Sequence, residues 1–165
     1  MTRISASLGS VIFFFVAPAV IAGVVPWWMT RWQVRSSLPD VHLLKIVGVI
    51  LIGSGLVALL DSFARFALQG IGTPAPAFPT RHLVVTGLYR HVRNPIYVAV
   101  VALILGQGLL FASIGLLIYG ALIWLSFHVF VVWYEEPTLR KTFGPEYDSY
   151  CANVPRWLPR LRPPP

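Results

Sequence analysis

The sequence predicts an all-α, polytopic membrane protein: four transmembrane helices and a short helical cytoplasmic C-terminal segment, forming one membrane-embedded domain over residues 1–165. Three observations carry that reading. The chain is 56% hydrophobic with a mean hydropathy of +0.72, too apolar for a soluble protein of this size. Its apolar residues gather into long runs whose lengths suit membrane crossings. Its basic residues fall mostly on one side of those crossings, which gives the net charge of +7 a reading as topology and contact with anionic headgroups. No soluble basic face remains to bind nucleic acid.

The first predicted span, 8–28, is apolar apart from Ser10 and ends in Trp27 and Trp28, a pair suited to the membrane interface. Residues 1–25 with Arg3 also fit the outline of a cleaved signal peptide, but the apolar stretch is longer than a usual signal core. The second span, 43–60, carries Lys45 at its start, and Asp61 and Arg65 close it at i, i+4, the spacing of a helix-end ion pair. Residues 70–80, GIGTPAPAFPT, are too rich in Gly and Pro for a helix and read as an irregular connection, followed by a short extended patch from His82 to Val85. The run from Ile96 to Trp133 exceeds one crossing of a ~30 Å core at ~1.5 Å per residue. The FASIG segment, 111–115, divides it into antiparallel spans 96–111 and 114–134. Beyond it, Pro137 disfavours helix at Glu136, so a new short helix is expected from Pro137 to Phe143, ended by Gly144-Pro145, with another helical turn or two from Glu146 to Asn153. Ten basic residues share the side of both termini and three lie opposite, so the termini are expected in the cytoplasm, in a bacterial inner membrane.

GLYRHVRNPIY, 87–97, is the most informative stretch. Asn94 and Pro95 read as an N-cap and first helical residue. Arg90 and Arg93 stand beside the positive end of the helix that follows, together an anion site at the membrane surface. Glu135 and Glu136 leave the fourth span near this point if the last two spans form a hairpin. A carboxylate pair at a helix C-terminus is disfavoured by the dipole, so something must compensate it. Cationic entry and anionic exit together suit a zwitterionic or mixed-charge ligand. The competing reading pairs Glu136 with Arg140 on the surface. Trp124, His128, Val131 and Glu135 fall on one α-helical stripe, placing His128 deeper in the bilayer on the face of Glu135. A histidine satisfied by a neighbouring polar group is the plainer alternative, and Gln107 reads as an interhelical hydrogen bond. Cys151 is alone, and His42, His82, His91 and His128 have no zinc-ligand spacing, so no metal is expected.

Blocks GTPAP (72–76), LVVTGLYRHVRNPIY (83–97), and EEPTLRKTFGPEYDSY (135–150) with VPRWLPR (154–160) appear in an order that resembles integral-membrane methyltransferases. The relatives are isoprenylcysteine carboxyl methyltransferase and phospholipid N-methyltransferase, especially their small prokaryotic members. The resemblance covers 72–160 and leaves the first two spans without a signature. The family motif often has His where this chain has Asn94, and Gly where it has Ala99.

The resemblance implies S-adenosylmethionine as cofactor, bound at the cytoplasmic ends of the last two spans by Tyr89, Arg90, His91, Arg93, Asn94, Pro95, Tyr97, Glu135, Glu136, Tyr147 and Tyr150. Arg93 suits the donor's carboxylate, Glu135 or Glu136 its ammonium or hydroxyls, and Tyr97 and Tyr147 its adenosine. Arg93, Glu136 and His128 are the candidate catalytic residues, with His91 and His128 as possible bases by position. The acceptor is expected to be a lipophilic small molecule or lipid from the bilayer: an isoprenylcysteine-like carboxylate, a phospholipid amine, or a hydrophobic acid or thiol. The rival reading is a non-catalytic membrane protein, an anion-carrier subunit or assembly factor, using the same arginine cluster.

Overall fold

The computed structural model describes residues 16–34, 42–69, 83 and 85–160, and among them every regular element is helical. Helix α1 is Val16–Thr30, α2 His42–Gln69, α3 Pro95–Leu110, α4 Ile114–Phe143 and α5 Pro145–Asn153. A 3-10 turn, Gly87–Arg90, leads into α3. Residues 8–15 of the first predicted span, the 70–80 connection and His82 lie outside the described residues.

Helix α3 is the hub, packed against α1, α2 and α4. Its Ala99, Val100 and Ile104 form the core with Ala22, Leu59 and Phe63. Helices α2 (over His42–Arg65) and α4 are long and apolar enough to cross a membrane, whereas α1 and α3 are shorter apolar helices. Only 17% of the most apolar stretch of α2, and likewise of α4, is buried. A soluble protein's core helix would show the reverse. Leu43, Ile50 and Val57 on α2, and Ile118, Leu122 and Val129 on α4, point outward, the arrangement of a protein solvated by lipid.

Small residues let α2 and α3 touch at the backbone. A Cβ at Gly48 would lie 2.7 Å from the Gly106 carbonyl oxygen and 2.9 Å from the Leu110 nitrogen. Without a hydrophobic drive between helices in lipid, this close van der Waals packing is a main source of association. Gly106 therefore serves helix packing.

Two prolines are absorbed by π-turns. In α1 the helix widens over Val20–Val24, with Val25 N–H donating to the Val20 carbonyl. Pro26 lacks the N–H that would next have bonded the Ala22 or Ile21 carbonyl. Those oxygens are met from outside: Gln107 Nε2 of α3 donates to Ala22 O at 2.7 Å, and Tyr119 Oη of α4 to Ile21 O at 3.1 Å. Gln107 thus makes the interhelical bond its position implied. In α4 the same widening runs over Val131–Glu135, with Glu136 N–H bonded to the Val131 carbonyl and Pro137 following. Here the expectation of a helix break at Glu136 is corrected: Glu136 has helical angles, φ −61 and ψ −44, and α4 continues to Phe143. The π-turn takes up the proline by inserting one extra residue, roughly 100° of rotation.

The hairpin between α3 and α4 turns at Phe111–Ser113, as FASIG predicted, with Ala112 at φ +49 and Ser113 Oγ accepting from Leu116 N–H. Arg65 pairs with Asp61 at 2.8 Å, as the i, i+4 spacing predicted. A Cβ at Gly87, whose φ is +58, would collide with the Arg65 guanidinium, so the end of α2 seats the turn that opens α3.

Substituting Gly48→Ala should destabilise the detergent-solubilised protein by about 1–3 kcal/mol through overpacking. Gly53→Ala on the same helix has open space at its Cβ and should show no loss. Thermal unfolding of the two variants checks this.

Candidate functional site

Three segments far apart in the chain meet at one carboxylate. Glu136, at the end of the α4 π-turn, is 4% exposed. Arg156, beyond α5, grips it in a fork, Nε to Oε1 at 2.6 Å and Nη2 to Oε2 at 2.9 Å. Arg93, from the loop before α3, places Nη1 3.1 Å from the same Oε1. A buried carboxylate is costly unless paired and hydrogen-bonded, and planar guanidinium groups supply both. The compensation expected for Glu136 is thus present, although its cause is burial and not a helix end, since α4 runs on to Phe143. Arg140 pairs with Asp148 instead, at 3.0 Å on the surface, so the alternative Glu136–Arg140 pair does not form.

Arg93 is held from several sides. Its backbone N–H donates to the Pro155 carbonyl at 2.9 Å, its Nη1 also reaches Cys151 Sγ, and its buried Nε has no hydrogen-bond partner among the described residues. An orphaned buried guanidinium donor beside a mixed-charge cluster fits a ligand bearing an anionic group. Glu135, next to Glu136, faces a different neighbour: Tyr97 Oη of α3 donates to its Oε2 at 2.9 Å. The Tyr97 ring rests on Phe127 at 4.7 Å. Tyr147 is buried on α5, with its ring 6.2 Å from Tyr150, whose hydroxyl donates to the Tyr89 carbonyl at 2.7 Å. Burial raises the pKa of Tyr89, Tyr147 and Tyr150, so these phenols stay neutral donors.

Other candidates lie at the margin. Asn94 occupies the N-cap position of α3, with Pro95 as first helical residue, but its side chain makes no cap bond. Its Nδ2 donates to the Arg156 carbonyl at 3.1 Å instead. His91 joins the tail, its Nδ1 2.7 Å from the Arg160 carbonyl oxygen. Arg90 is exposed and lines a cavity of about 260 Å³ with Tyr150 and Glu146.

The stripe uniting His128 with Glu135 is corrected. The π-turn lies between them and rotates the later residues. Glu135 turns to Tyr97, while His128 Nδ1 accepts from Trp157 Nε1 at 3.1 Å, with Trp124 stacked on the imidazole at 5.5 Å. Indole N–H only donates, so Nδ1 is the unprotonated nitrogen and its lone pair is engaged. In this arrangement His128 offers no free base.

Sequence reasoning missed Arg156 and Cys151 as parts of the cluster. The one signal for Arg156 was its place in the VPRWLPR block; Cys151 had none. Among the described residues, no group of three or more His, Cys, Asp or Glu could hold a metal ion.

Removing the shared carboxylate with Glu136→Ala should cost about 3 kcal/mol, because two partly buried guanidinium groups lose their counter-charge. Arg140→Ala, on an exposed pair, should leave stability unchanged. Chemical denaturation of both variants in the same detergent is the measurement.

Comparison with known proteins fits this architecture. A nickel-cobalt-cadmium resistance protein, NccN, of Alcaligenes xylosoxydans xylosoxydans is 37% identical over 79 residues, covering 48% of this chain and 37% of that protein. No solved structure matches the chain. The phospholipid methyltransferase profile matches residues 43–146, well over half the chain, from the start of α2 through α3 and α4 into α5. With its outward apolar helices, this membrane protein belongs to the phospholipid methyltransferase family.

Proposed function

We propose that the protein transfers a methyl group from S-adenosylmethionine to a lipophilic acceptor at the cytoplasmic face of a membrane. The observation that carries this reading is the cluster of Arg93, Glu135 and Glu136 where the start of α3 meets the π-turn of α4, in a chain of this family. Arg93, with its orphaned Nε, would take the donor's carboxylate. The acidic pair would take its ammonium or ribose hydroxyls, and Tyr97 and Tyr147 would flank the adenosine. Bound there, S-adenosylmethionine supplies a methyl group already activated on a positively charged sulfur. The protein's part is then to align the reacting atoms and exclude water, an effect worth roughly 7–11 kcal/mol when alignment is complete. A carboxylate acceptor needs no base. An amine or thiol must give up a proton, and Glu135, hydrogen-bonded to Tyr97, is a carboxylate in position to be considered for it. The family favours a lipid acceptor, a phospholipid amine or an isoprenylcysteine-like carboxylate.

Four crossings fit the sequence best in this reading, with α1 and α3 as the shorter spans. About twenty residues of α4 cross a ~30 Å core, which brings Glu135 and Glu136 to its edge. The distribution of arginines would place both termini in the cytoplasm, where the donor is found. A reporter fused after Pro165 and one inserted in the Arg31–Asp40 loop should then report opposite compartments. A C-terminus outside the cytoplasm would overturn both the topology and the cytosolic donor.

The NccN relative favours a second reading, a non-catalytic membrane protein serving resistance to metal cations. The two readings separate by calorimetry with S-adenosylmethionine on detergent-purified protein, followed by methylation of a lipid extract with labelled donor. Arg93→Ala should weaken donor binding by about 1.5–3 kcal/mol, the loss of a charge-assisted hydrogen bond. Unchanged affinity in a folded variant would remove Arg93 from the donor site, and no binding by the unaltered protein would leave the second reading.

A further inference from the structure

The segment after α5 doubles back across the candidate site. Val154, extended at φ −120 and ψ 126, turns the chain out of the helix. From there the segment is tied at both ends to the loop before α3: Arg93 N–H to Pro155 O at 2.9 Å, and Arg160 N–H to His91 O at 3.0 Å. Between these ties Arg156 grips Glu136 with two hydrogen bonds, and Trp157 caps His128.

Both Glu136 oxygens are therefore engaged by the Arg156 fork, and Oε1 is shared with Arg93. A ligand's ammonium group arriving there would have to share one carboxylate with two guanidinium cations, so Arg156 competes with it directly. Arg156 is also the more exposed partner, 32% against 11% for Arg93. It is thus the cheaper of the two to return to water. We propose that Val154–Arg160 is a strap that gates the donor site, with Arg156 as an internal cation that competes with a ligand cation for Glu136. Release of the strap also frees the His128 imidazole from Trp157, so one movement opens the carboxylate and uncovers a base nitrogen. The proposal rests on reading the Arg93–Glu136 cluster as the methyl donor's site.

An internal competitor reduces apparent affinity by the fraction of time it occupies the site. Arg156→Ala should therefore bind S-adenosylmethionine about three- to tenfold more tightly than the unaltered protein in calorimetry. An arginine that only props up the fold would give the opposite sign. Trp157→Phe, which loses the bond to His128 but keeps Arg156, should shift affinity the same way by a smaller factor, and it carries the test if Arg156→Ala does not fold. Hydrogen exchange at the Arg93 and Arg160 amides should speed up when S-adenosylmethionine is added, because both are bonded across the strap. Equal or weaker binding by the variants, or slower exchange at these amides on adding the donor, overturns the gate and leaves the methyl-donor reading standing. Absence of binding by the unaltered protein and both variants overturns the two together.

Discussion

The architecture around the site depends on one buried negative charge. Glu136 has no apolar substitute that would keep its three-way junction: it joins the loop before α3, the emerging end of α4 and the chain after α5. Arg156 alone reaches both of its oxygens and Arg93 adds a second cation at Oε1, and each arginine brings its own stretch of backbone. Arg93 carries the loop that starts α3, and Arg156 carries the tail that lies over that loop. Electrostatics here does the assembling that a hydrophobic core does in water, because in lipid apolar contact gives little net attraction between helices.

The two π-turns solve a related problem. A proline inside a membrane helix strands a carbonyl, and an unsatisfied carbonyl in hydrocarbon is expensive. In α1 the stranded oxygens become docking points for Gln107 and Tyr119. In α4 the widened turn re-aims the residues beyond it, separating the acidic pair into two environments: Glu136 among arginines, Glu135 against a tyrosine. Adjacent residues of identical chemistry thereby acquire different duties.

Much of this was legible in the sequence because it is local. Apolar run lengths located the helices, the FASIG hairpin and the Asp61–Arg65 pair followed from spacing, and GLYRHVRNPIY with the acidic pair marked two segments that meet at the Arg93–Glu136 contact. What was hidden is long-range or backbone-borne. No pattern in the chain says that Arg156 reaches across α5 to Glu136, or that Cys151 lies beside Arg93. Pro137 was read as a break because proline's cost is a local property, while the π-turn that absorbs it is a choice made by the whole helix. That single misreading also displaced the expected His128–Glu135 stripe.

The way α1 is fastened has a consequence for how such a chain can diversify. Gln107 and Tyr119 grasp main-chain oxygens of the first helix, and an oxygen of the peptide backbone is the same whichever side chain sits beside it. Selection on that interface therefore acts on the shape of a bend rather than on letters of the sequence. That fastening asks of the first helix a bend more than particular side chains, whereas the junction at Glu136 asks for particular side chains from three segments.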